Sequence, residues 1–154
     1  VGMTQAILLT LTSLVLGLGL MQGQTAKKPV AVVAKDGSGV AIRGYDPVAY
    51  FEMGKAMVGK PEHEAEYRGA KFRFVSASHK QSFEANPEKF APQYGGYCAW
   101  AVGHNYTAPV DPEAWKIVDG KLYLNYNKDV QRMWSSKQAK WITEGDKNWP
   151  GLHQ

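Results

Sequence analysis

The sequence predicts an α+β fold: a small single domain with two β-hairpins and several short helices. Three observations predict it. From Ala65 to Val75 apolar and polar residues alternate around Gly69, which is the period-2 pattern of a hairpin with one covered face. Asp119-Gly120, the strongest short turn signal in the chain, stands between two β-prone runs, Ala114 to Val118 and Leu122 to Tyr126. Helix caps recur around these hairpins: Asp46 before Pro47, Ser76 or Ser78 before Phe83, and Asn127 before Val130.

The elements follow in order. Ala6 to Leu20 is an uncharged apolar run followed by small and polar residues, shorter than the roughly 20 residues a membrane span needs. Residues 1–26 therefore read as a signal peptide or, left uncleaved, an N-terminal membrane anchor. An exported protein is expected, periplasmic or secreted, or else membrane-anchored by that helix. Residues 27–43 read as a loosely held tether leading into an extended segment. Residues 44–152 form the domain, about the size of one ordinary fold. Within it, a helix is expected from Pro47 to Met53, stopped by Gly54, and a polar loop from Met57 to Glu64. The first hairpin follows, with Phe72 and Phe74 on one side. A helix then runs through Phe83 to Asn86-Pro87, with a further helical turn within Glu88 to Tyr94. In the second hairpin Trp115, Ile117, Leu122 and Leu124 share a face. Helices over Val130 to Lys137 and Ala139 to Gly145 complete the chain before Trp149-Pro150.

Charge narrows the function. The 18 basic and 14 acidic residues give a net +4. They alternate in sign along the chain, whereas a nucleic-acid surface concentrates Lys and Arg; no nucleic-acid partner is expected. The single cysteine, Cys98, cannot close an intramolecular disulfide, so stability must come from packing of the aromatic-rich core. No G-x-S-x-G nucleophile setting, no C-x-x-C-H haem attachment and no phosphate-binding loop is present.

Chemistry concentrates on Tyr94 to Ala108, YGGYCAWAVGHNYTA. Gly95 and Gly96 permit a tight turn, and a helix beginning at Tyr97 would place Cys98 in its first turn, where backbone N–H groups lower a thiol pKa. The alternative is a small buried residue beside Trp100. As a metal ligand, Cys98 with His63, His79 or His104 would make a mixed nitrogen and sulfur set suited to copper or zinc. His104 lies six residues on, roughly 120° away on a continuous helix, and reaches Cys98 only if the chain bends at Gly103. His63 reads as solvated and His153 as part of a mobile terminus.

The order Asp46-Pro47-Val48, then Phe72-Arg73-Phe74-Val75-Ser76, then His79-Lys80 and Phe83 with Pro87 and Phe90 behind, resembles the YHS domain. More narrowly, GYDPVAYF, YRGAKFRFVSASHKQSFEANPEKFAPQYGGYCA, DPEAW, IVDGKLYLNYN and WP look like the exported single-domain YHS proteins, over roughly Gly44 to Leu152. The resemblance implies a small α+β fold. Metal-binding relatives carry a cysteine after Asp-Pro-Val and two more around the end of the Phe-x-Phe hairpin; here those places look like Ala49, Val75 and His79, of which only His79 can ligate. The narrower group is described as including members with selenocysteine, and the Gly-Gly-Tyr-Cys-Ala setting of Cys98 looks like that position.

Three functions are thus in view. The first is an exported accessory protein binding a transition metal through Cys98 with His79 or His104. The second is a thiol-dependent redox protein that uses Cys98 without metal, with a small thiol as partner. The third is a non-catalytic interaction domain.

Overall fold

The computed structural model describes residues 28–154, so the signal peptide or anchor of residues 1–26 lies outside the described residues. The α+β class is as expected: two antiparallel two-stranded sheets are set among short helices. No helix among the described residues is long and apolar enough to cross a membrane.

The first hairpin joins β1 (Lys60–Tyr67) to β2 (Ala70–Phe74). Pairing is regular from Glu64↔Arg73 to Tyr67↔Ala70, but a register shift separates it from Lys60↔Phe74. The strand thus begins inside the segment read as a loop. Pro61, which has no N–H to give a ladder, sits in the irregular part, so clean alternation starts only beyond it. Phe72 and Phe74 do share a side, and both pack on Phe83, with ring centroids 4.9 and 5.1 Å apart.

Two helices close over this hairpin. In α1 (Pro47–Glu52) the Asp46 side chain accepts the Val48 and Ala49 N–H groups, with Pro47 in the first turn, where its missing donor costs nothing. In α2 (Ala77–Ala85) the cap is Ser76, not Ser78: its hydroxyl accepts the His79 N–H at 3.1 Å. Then come α3 (Pro87–Phe90), capped by Asn86, and α4 (Ala99–Gly103).

The second hairpin pairs β3 (Asp111–Val118) with β4 (Lys121–Asn125). Trp115 faces Leu124 and Ile117 faces Leu122, so the expected shared face forms. Strand alternation then gives β4 two buried sides. Leu122 and Leu124 enter a core with Val48, Tyr50, Phe72, Phe74 and Phe83, while Tyr123 enters a second with Tyr94, Ala99, Val102, Trp134 and Leu152.

Helices α5 (Lys128–Ser136) and α6 (Gln138–Leu152) wrap the second core. Asn127 caps α5 as expected, accepting the Val130 N–H at 2.8 Å. The last helix does not stop at Gly145. A side chain at that position would stand 2.5 Å from the Tyr94 hydroxyl, so this glycine makes room for Tyr94 and is no terminator. Pro150 falls within the final helical turn, outside the seven-residue helix expected.

The tether is held rather than loose. Val30 N–H donates to Leu152 O, Ala34 N–H to Gly95 O and Ala41 N–H to Lys71 O, and Val33, Val40 and Ile42 are buried.

Candidate functional site

Cys98 owes its position to the turn before it and the helix after it. Tyr94, Gly95 and Gly96 all adopt positive φ, which reverses the chain beneath Tyr97. The Cys98 N–H donates to Ala108 O, and the Cys98 carbonyl accepts the Val102 N–H, the first bond of α4. Cys98 is therefore the N-cap residue of α4, one step outside the first turn where it was expected.

The thiol is 1% exposed. Its sulfur accepts the Tyr126 N–H at 3.3 Å, and its S–H points to Asn125 Oδ1 at 3.6 Å. That oxygen also accepts the Trp100 N–H at 3.0 Å, so one amide oxygen joins the sulfur to the start of the helix. Burial pushes the thiol pKa up; the N–H groups of Ala101, Tyr126 and Trp100 pull it back without cancelling the rise. The lowered pKa expected from a helix start is thus reversed, because loss of water costs the thiolate more than these donors return. The sign carries to stability: the folded state binds this proton more tightly than the unfolded chain, a contribution present below the ordinary thiol value and lost as pH rises through the folded one. Alkylation of the native protein by iodoacetamide is expected to titrate above the ordinary 9.0. A midpoint below it would contradict this account of burial.

His79 lies elsewhere. Its ring Nδ1 is 2.6 Å from Asp46 Oδ2, and its side chain is 15% exposed. The Asp46 carboxylate is wholly buried: Oδ1 takes the Val48 and Ala49 N–H groups, and Oδ2 takes the Val75 N–H at 2.9 Å. Against such an acceptor Nδ1 must donate, which turns Nε2 away from the carboxylate. Ala49, Val75 and His79, the three places the resemblance singles out, thus converge on one carboxylate. Asp46 escaped sequence reasoning as more than a cap, since its partner is 33 residues away. Asn125 was missed altogether; its only signal was a polar residue closing an apolar strand.

His104 is exposed at the end of α4. Its ring lies between Trp100 and Trp141, with centroids 4.1 and 4.2 Å away, and Nδ1–H donates to the Trp100 carbonyl at 2.7 Å. His63 sits half-buried in the irregular part of β1, and His153 stacks on Trp149 at 4.5 Å. Cys98, His79 and His104 are therefore engaged in three separate settings. Among the described residues, no three His, Cys, Asp or Glu side chains are grouped to hold a metal ion. Cys98, His79 and His104 are thus not brought together as one copper or zinc ligand set among the described residues.

No family model, curated protein or solved structure matches this chain.

Proposed function

We propose that the protein is an exported YHS-type accessory domain that works as a single-thiol redox protein, with Cys98 as the reacting group and a small hydroperoxide as oxidant. The observation that carries this reading is the set of N–H donors around one sulfur. Burial raises the thiol pKa overall; against it Tyr126 donates at 3.3 Å, and the first-turn N–H groups of Trp100 and Ala101 pull the same way, down. Such donors do little for a neutral thiol, a weak acceptor, and much more for a sulfur carrying negative charge. Export rests on the apolar run Ala6 to Leu20.

The buried position selects the oxidant. A thiol 1% exposed is closed to a folded protein's disulfide, so the reading takes the smallest oxidant, hydrogen peroxide, which meets the sulfur when the fold opens locally. As thiolate, the sulfur attacks one peroxide oxygen: an S–O bond forms, the O–O bond breaks, sulfur gives up two electrons, and the departing hydroxide takes a proton to leave as water. Because Cys98 is the only cysteine, recovery uses two equivalents of an outside small thiol. The first displaces water to form a mixed disulfide; the second releases Cys98 and leaves as the oxidised small thiol. The test is peroxide consumption by the full chain with excess small thiol. Consumption is expected to depend on Cys98 and to rise with pH as the thiolate fraction grows. A Cys98→Ser variant as fast as the native protein would sink the reading.

A second reading, transition-metal binding, draws on Asp46 and His79. A carboxylate that holds Nδ1 orients the ring and leaves Nε2 as the atom to ligate, the usual support behind a metal-bound imidazole. Metal content after exposure to zinc or copper is expected to fall in His79→Ala and Cys98→Ser variants if either ligates. Equal content in all three proteins would remove this reading.

A further inference from the structure

We propose that Asn125 is the positioning residue of the Cys98 site, and that its unpartnered amide N–H holds the oxygen that oxidation adds to the sulfur. This rests on the thiol reading above. Alternation along β4 turns Asn125 to the same side as Tyr123, toward the core that α4 covers, and Asn125 is wholly buried there. Its Oδ1 meets both the Cys98 thiol and the Trp100 N–H, while its Nδ2 has no hydrogen-bond partner among the described residues. A buried amide donor without an acceptor is costly, and native proteins keep few of them.

The amide cannot relieve this by turning over. A flip would set Nδ2–H against the Trp100 N–H, donor against donor, and would remove the acceptor that the thiol uses. The orientation is thus locked, with an idle donor on the same amide whose oxygen stands 3.6 Å from the sulfur. Oxidation changes the demand at this place: the S–H that met Oδ1 is gone, and the sulfenate oxygen that replaces it only accepts. The idle Nδ2–H is the side-chain donor already at hand. Asn125 in this way fixes the thiol proton before reaction and holds the charged oxygen after it.

The test uses the full chain, hydrogen peroxide and a cyclic 1,3-diketone that traps sulfenic acid, with the adduct read by intact mass. An Asn125→Asp variant keeps the side-chain shape and the oxygen that the Trp100 N–H needs but loses the N–H donor. Its trapped adduct is expected to fall about tenfold, the effect of one hydrogen bond to a charged group. Its alkylation profile is expected to move to higher pH, because a second negative charge opposes the thiolate. Should this variant not fold, the native protein decides alone: the Asn125 side-chain amide proton resonance is expected to move downfield on oxidation, and an unmoved resonance overturns the proposal. Native protein that forms no adduct removes the thiol reading and this inference together. Native protein that forms adduct, with equal yield and an equal pH profile in Asn125→Asp, overturns this inference alone.

Discussion

An Asp46→Ala variant is expected to lose about 3–5 kcal/mol of stability, a large share of the roughly 5–15 kcal/mol that holds a small domain folded. One carboxylate serves four donors: it caps α1 through Val48 and Ala49, ties the end of β2 through Val75, and holds the His79 ring at the start of α2. The cap alone accounts for about 1 kcal/mol. The larger part comes from leaving the Val75 N–H and the His79 ring, both partly buried, without the carboxylate that accepts from them. Asp46→Asn is expected to be little better, since its amide nitrogen would face donors on one side. Urea unfolding checks this through its midpoint, with the slope unchanged. A shift under 1 kcal/mol would mean that water or another acceptor replaces the carboxylate.

Gly95→Ala is the second large effect, expected at about 2–4 kcal/mol. Gly95 has φ +61, and an added Cβ would stand 2.1 Å from the Val32 carbonyl oxygen and 2.9 Å from its carbon. These are backbone atoms, so no side-chain rotation relieves the collision. Residues 28–34 must move away, breaking the Ala34 N–H bond to the Gly95 carbonyl and uncovering Val33. Limited proteolysis is therefore expected to cut this segment faster in the variant than in the native chain, alongside a lowered unfolding midpoint. Native-like protease resistance would show that the tether can settle elsewhere.

Much of the fold was legible because its signals are local. Asp119-Gly120, the Asp46-Pro47 cap and the Asn127 cap each act within a few residues, and each marks the element it was read to mark. The misread boundaries have long-range causes. Gly145 looked like a helix end because Tyr94, whose hydroxyl donates to Asp146 at 2.9 Å, is 51 positions earlier in the chain. The start of β1 was hidden by Pro61 and an irregular pairing with β2. The candidate site divides in the same way. Cys98 was visible as the lone cysteine behind two glycines, and His79 as an imidazole near a helix cap. What each side chain meets was not visible, since Asp46 lies 33 residues before His79 and Asn125 lies 27 after Cys98. The pKa direction at Cys98 was misjudged for the same reason: helix position is written locally, whereas burial depends on strands and helices that arrive later in the chain.

Cys98, though buried, is proposed to be a working thiol. The most direct test adds hydrogen peroxide to the full-length native protein and follows the intact mass with and without a sulfenic acid trap. A single oxygen is expected to add at Cys98, to be captured by the trap and reversed by a small thiol, and to form faster as pH rises. A protein that keeps its unmodified mass while folded, and reacts only after denaturation, would contradict it and leave Cys98 as a residue of the core.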